Sequence, residues 1–119
     1  MGKRVLVAED EQRISHLLKM YLEREEFVVE VADNGDEALE KALQDSFDII
    51  ILDILMPGRD GFSVLEEVRK NKDTPVIMLS AKGEAHDLKR GEELGASEYI
   101  LKPFSPKDVV SKIKMLLNL

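Results

Sequence analysis

The chain contains no cysteine. Disulfides, thiolate zinc sites and thiol nucleophiles are therefore excluded. It has no apolar run near the ~20 residues that a membrane-spanning helix needs. The basic Lys3-Arg4 start is not followed by the apolar stretch of a secretory signal. No glycine-rich loop leads into Lys-Ser or Lys-Thr, so a P-loop for nucleotides is absent. Aromatic residues are few, at 5%, and no basic stripe accompanies them. With 24 acidic against 17 basic residues and a net charge of −7, the balance works against direct contact with nucleic acid or an anionic membrane. No repeat or low-complexity linker interrupts the chain. A cytoplasmic domain without membrane or nucleic-acid contacts of its own is the expectation.

What is present is a regular alternation. The 119 residues are 44% hydrophobic, enough for one core, and one domain spanning 1–119 is expected. Apolar strands are predicted over Arg4–Ala8, over Val28–Ala32, from Ile49, from Thr74-Pro75, and over Glu98–Leu101. Helical stripes separate them. Ile14, Leu17, Leu18, Tyr21 and Leu22 share one helical face, and Ala38, Leu39, Ala42 and Leu43 form a second stripe. Phe62, Leu65 and Val68 mark a third helix. Val109, Val110, Ile113, Leu116 and Leu117 mark the last. Asn34 with Glu37 reads as a helix start, as do Ser105-Pro106 with Asp108. Asp10 is a candidate cap of the first helix. The fourth helix, about Ala85–Leu94, has few large apolar residues and carries Gly91, so it is expected to be the least stable element. Strands joined by helical crossovers give a parallel sheet with helices on both faces, a doubly wound α/β domain. Ligands of such sheets bind beyond the carboxyl ends of the strands.

Four apolar runs end in reactive polar residues, and those ends share that edge. The first runs into Glu9 and Asp10, the third into Asp53, the fourth into Ser80 and the fifth into Lys102. Two carboxylates about 4 Å apart repel by roughly 4 kcal/mol at an effective dielectric near 20, so three of them call for a cation. Oxygen-only ligands favour Mg²⁺ or Mn²⁺. Asp53 ends the central strand and is the candidate nucleophile toward phosphorus. The metal, Lys102 and Ser80 would hold the phosphoryl oxygens. Any one of these residues alone is an ordinary turn former, cap or solvated side chain. Together, at four strand ends, they are not.

These residues resemble the receiver domain of two-component response regulators, the CheY-like family. The resemblance rests on Val7-Ala8-Glu9-Asp10-Glu11, on Asp53-Ile54-Leu55-Met56-Pro57-Gly58-Arg59-Asp60-Gly61, on Leu79-Ser80-Ala81 and on Lys102-Pro103-Phe104. It implies a flavodoxin-like (βα)5 fold with strand order 2-1-3-4-5. It implies Asp53 as phosphoacceptor, Asp10 as direct metal ligand, Glu9 acting mainly through water, and the Leu55 backbone carbonyl completing the protein ligands. Ser80 and Lys102 would bind the phosphoryl group, Ser80 and Tyr99 would form a switch, and the Lys102–Pro103 peptide would be cis. A sensor histidine kinase is the implied phosphodonor. A phosphorylation-dependent homodimer through the fourth helix, fifth strand and fifth helix is a common family behaviour. Leu55 and Lys82 flank the route of the water that attacks the acyl phosphate, and slow self-dephosphorylation is expected. A stand-alone receiver and a portion of a longer regulator both fit.

Two other classes compete. A magnesium phosphatase with an aspartyl-phosphate intermediate, like the haloacid-dehalogenase enzymes, needs a second Asp two residues after the nucleophile, where this chain has Leu55. A flavodoxin-like redox protein needs a Ser/Thr-rich phosphate loop after the first strand, where Glu9-Asp10-Glu11 would repel a cofactor phosphate.

Overall fold

Strand and helix alternate without exception along the chain. The order is β1 (Arg4–Ala8), α1 (Gln12–Arg24), β2 (Val28–Ala32), α2 (Gly35–Gln44), β3 (Ile49–Asp53), α3 (Gly61–Asn71), β4 (Val76–Ser80), α4 (Ala85–Leu94), β5 (Glu98–Leu101) and α5 (Pro106–Leu116). The structure is a computed structural model and describes residues 2–81 and 85–119. The five strands form one parallel sheet in the order β2-β1-β3-β4-β5, as the resemblance implied.

β3 and β4 are buried along their whole length, which is why both are apolar until their last residue. Side chains alternate across the sheet and so divide the core. Leu6, Ala8, Ile50, Leu52, Val76 and Met78 face one layer, with Ala38 and Ala42 of α2 and Phe62, Leu65 and Val68 of α3. Val5, Val7, Ile49, Ile51, Ile77 and Leu79 face the other, with Leu18 and Leu22 of α1 and Val109, Val110 and Ile113 of α5.

The helix starts follow their sequence signals. Asn34 Oδ1 accepts from Glu37 N at 2.8 Å, and Glu37 Oε1 accepts in turn from Asp33 N at 3.0 Å. That is a capping box whose reciprocal bond falls one residue early. Ser105 Oγ accepts from Lys107 N, with Pro106 opening the helix. The expected cap at Asp10 is not formed: α1 is capped at Glu11, without a side-chain hydrogen bond. Two residues assigned to inner stripes are exposed instead, Leu17 at 39% and Leu43 at 38%. Each lies one residue, about 100° of helix, from a fully or nearly fully buried neighbour. In α1 the small Ser15 takes the inner position on the opposite flank. β4 begins at Val76, one residue after Pro75, whose carbonyl accepts from Ile50 N.

α4 is held by few large side chains. The Arg90 guanidinium lies over the Phe62 ring at 4.6 Å, tying α4 to α3. Gly91 is buried, and a methyl group built there would meet Ala96, Tyr99 and Met78 at 3.8–3.9 Å, ordinary contact distances. The glycine is therefore not required by space. Gly91→Ala is expected to stabilise the domain by about 0.5–1 kcal/mol through helix propensity, read as a rise in the thermal unfolding midpoint.

Candidate functional site

The register of the sheet assembles the site. Ala8 pairs with Leu52, so one step further along the ladder Glu9 stands beside Asp53. Asp53 pairs with Leu79, and Ser80 with Leu101, one residue before Lys102. The chain stays extended past the last assigned strand residues: Glu9 N donates to Ala32 O, and Lys102 N donates to Ser80 O. Strand parity then sorts the side chains. Glu9, Asp53 and Lys102 continue the odd or even series that faces α1 and α5, whereas Ser80 continues the series facing α2, α3 and α4.

Lys102 is the centre of the cluster. Its Nζ donates to Asp53 Oδ2 at 3.1 Å and lies 2.9 Å from Glu9 Oε1. The approach to Glu9 is a charge contact without hydrogen-bond alignment, so Oε1 has no hydrogen-bond partner among the described residues. The other Glu9 oxygen accepts from Glu11 N at 3.0 Å. Glu9 is fully buried and Asp53 nearly so, while Asp10 is exposed at the rim. One oxygen from each of Glu9, Asp10 and Asp53 lies within 4.8 Å of the others. This oxygen-only set fits a hard divalent cation. The same crowding shifts the titrations. Burial pushes the Glu9 carboxyl up to about 7, against the lowering effect of Lys102 and of Glu11 N–H. Burial alone would lower Lys102, but its contacts with Glu9 and Asp53 outweigh this and raise it.

A cleft of about 500 Å³ opens onto these groups, with Asp10, Asp53, Leu55, Ser80 and Lys102 in its wall. Leu55 is 71% exposed at the mouth. Tyr99 lies outside the cleft. Its ring packs on the core toward α4, 3.8 Å from the methyl position of Gly91, and its hydroxyl is buried without a hydrogen-bond partner among the described residues. Lys82 lies outside the described residues. The Lys102–Pro103 peptide is cis.

The sequence brought the five strand-end residues to one edge, and the structure gathers them. Glu9 meets Lys102 at the inner side of the edge, and one of its oxygens lies within 4.8 Å of those of Asp10 and Asp53. Glutamate's extra methylene gives it the reach. Asp87 of α4 also lines the cleft, and sequence reasoning did not single it out. Its only signal was a place in the first turn of the helix that follows Ser80.

The response regulator receiver domain model matches residues 5–114 of the chain. The protein belongs to the response regulator receiver family. Its relatives include the transcriptional regulatory protein ResD of Bacillus subtilis, 51% identical over 115 residues, which are 97% of this chain and 48% of ResD. SrrA of Staphylococcus aureus is 49% identical over 118 residues, 99% of this chain and 49% of SrrA. The chain thus spans about half the length of the curated relatives it matches. Among solved structures, a Francisella receiver domain superposes with a TM-score of 0.93 at 35% identity, covering 98% of both chains. TrrA of Thermotoga maritima, solved in complex with Mg²⁺-BeF, gives 0.86 at 39% identity over 96% of this chain and 98% of that one. The domain is a CheY-like receiver of two-component signalling, and the phosphatase alternative is not favoured. Among the described residues no helix is long and apolar enough to cross a membrane.

The raised Glu9 carboxyl has a stability consequence for the metal-free receiver. A carboxyl raised by folding contributes stability that is full below its unfolded value near 4.5 and is lost as the pH rises through about 7. Denaturant midpoints of the metal-free protein should therefore fall across that window, and Glu9→Gln should flatten this part of the profile. An unchanged slope would refute the assignment.

Proposed function

We propose that this receiver takes a phosphoryl group from the phosphohistidine of a sensor histidine kinase onto Asp53. The observation that carries the proposal is a nearly buried Asp53 carboxylate that faces an open cleft, with two further carboxylates within 4.8 Å and the Lys102 ammonium on Oδ2. Asp10, Asp53 and the Leu55 carbonyl would hold Mg²⁺, with Mn²⁺ as a substitute, and Glu9 would support them from inside. When bound, the ion would offset the carboxylate charge and draw a phosphoryl oxygen toward the strand ends.

The residues of the chain supply the rest. An Asp53 oxygen attacks phosphorus, the P–N bond to imidazole breaks, and the departing nitrogen keeps the electron pair. The Lys102 ammonium and the Ser80 hydroxyl stand at the cleft wall to meet the equatorial oxygens. The Lys102 backbone N–H donates to the Ser80 carbonyl, which joins the two residues across the β4–β5 edge.

Signalling follows from bias between two conformations. Ser80 and Tyr99 would report the phosphoryl group to the α4–β5–α5 face, and a homodimer or another protein would read that face. The whole span 1–119 would act as one such unit in the cytoplasm, with no nucleic-acid contact of its own. The donor kinase and the output belong to the longer regulators that the chain resembles.

Leu55 bears on the lifetime of the signal. Two residues after the acceptor and 71% exposed at the cleft mouth, it presents no group that could orient an attacking water. Self-dephosphorylation should be slow.

Incubation with acetyl phosphate and Mg²⁺ is expected to add one phosphoryl group by mass spectrometry, and Asp53→Asn should abolish it. A phosphorylated Asp53→Asn protein would refute the acceptor. In Leu55→Asn the phosphoprotein should decay about several-fold faster, well below the roughly 10²–10⁴-fold of a full general acid–base group, because an amide can only orient the water. An equal lifetime would remove Leu55 from the account.

A further inference from the structure

The loop between β3 and α3 carries Leu55, yet the element that holds it in place contributes nothing to the cleft wall. At its base the loop closes on itself, with Gly61 N donating to Ile54 O at 2.8 Å. Its tip rests on the first turn of α2. Gly35 N, one of the backbone donors that a helix start leaves without an internal partner, donates to Pro57 O at 3.1 Å. Arg59 N donates to the same carbonyl at 3.0 Å. The two backbones meet so closely that a methyl group on Gly35 would stand 1.7 Å from Arg59 O and 2.5 Å from its carbonyl carbon. No side chain fits there without moving the loop. Gly58 turns the tip with φ +83°, and a methyl group on it would stand 2.8 Å from Asp36 Oδ2. The Arg59 side chain straddles the junction: Nη1 donates to Ser63 Oγ at 3.1 Å, and Nε lies 3.5 Å from Asp36 Oδ1.

The platform is itself rigid. Asn34 and Glu37 cap the first turn of α2, and Ala38 and Ala42 anchor its inner face in the core. Of the contacts to the loop, the Arg59–Asp36 pair is exposed and contributes little. The backbone seat at Gly35 is buried, and an added methyl group would overlap Arg59 O.

We infer that α2 sets the divalent-cation affinity of the cleft through this seat, with Gly35 as the principal positioning residue and Arg59 as a secondary one. The inference rests on the proposed metal-binding role of the loop. Groups that orient metal-binding elements from behind commonly change affinity by about 10–100-fold when altered. Because coupling is reciprocal, a bound cation must also tighten the seat.

The test is calorimetric titration of the full chain with Mg²⁺ alone, for the wild type, Gly35→Ala and Arg59→Ala, beside thermal unfolding without metal. Gly35→Ala should weaken Mg²⁺ binding by about tenfold or more, and Arg59→Ala by only about threefold, as suits an exposed pair. The wild type supplies a second measurement that survives a folding failure of Gly35→Ala. Saturating Mg²⁺ should slow amide exchange at Gly35 by about fivefold or more relative to Asp45 at the other end of α2. Affinities of Arg59→Ala and of any folded Gly35→Ala within error of wild type, or a Gly35 amide indifferent to Mg²⁺, would reduce the seat to plain packing and overturn the inference. A wild type that binds no Mg²⁺ would overturn the metal-binding role itself, and with it this inference, and only that result does so in the wild-type titration alone.

Discussion

Crowding of like charge at one sheet edge is the constraint on which this structure turns. Parallel pairing in register forces Glu9 and Asp53 to be neighbours, because Ala8 and Leu52 are partners one step earlier. At the separations within this cluster, up to 4.8 Å, a carboxylate pair repels by about 3–4 kcal/mol at an effective dielectric near 20. The cost is comparable to a sizeable part of a domain's net stability. The end of β5 answers it by placing the Lys102 ammonium against both acids. The sheet order follows the same logic. β5 must lie beside β4, and β4 beside β3, for Lys102 to arrive where β1 and β3 have delivered their carboxylates.

The two faces of the sheet are built differently around that edge. Toward α1 and α5, large aliphatic residues such as Leu18, Leu22 and Ile113 are fully buried. Toward α4, the contacts among the described residues include Arg90 over Phe62, a half-buried Leu94, a glycine, and a Tyr99 ring whose hydroxyl has no partner among the described residues. A buried hydroxyl without a hydrogen bond costs roughly 1–3 kcal/mol. Under the proposed switch, this weakly held side is the side where displacement is cheapest, and Ser80 is the strand-end residue whose parity points toward it.

Much of this was legible from periodicity and punctuation. The apolar strands, apart from the start of β4, the Asn34 and Ser105 starts and the bounds of α4 and β5 lie where the residues predict them, because local preference and tertiary packing agree there. The strand ends were legible for the same reason, since parallel strands bring their carboxyl ends to one edge. What escaped depends on side-chain reach and on the exact orientation of a helix. Leu17 and Leu43 match the helical period, yet lie just outside stripes narrowed by Ser15 and the α2 alanines. Glu9 and Asp10 are adjacent and chemically alike, and their order separates them only once it is known how far the chain stays extended past Ala8. The docking of the β3–α3 loop on Gly35 joins segments more than 20 residues apart through backbone atoms, and backbone contacts leave no trace in composition beyond a glycine.

The division of labour between Glu9 and Asp10 follows from their places at the end of β1. Glu9 continues the inward series of Val5 and Val7 and meets Lys102, whereas Asp10 is the first residue to leave the sheet and stands at the rim. Under the proposed phosphoryl transfer, the charge count at Asp53 then becomes unequal. One ammonium already serves two carboxylates, and turning the Asp53 carboxylate into an acyl phosphate would replace a charge of −1 by one of about −2. A single lysine cannot balance that sum. The deficit lies on the Asp10 side of Asp53, the side open to solvent, which is where a divalent cation has both the reason and the room to bind.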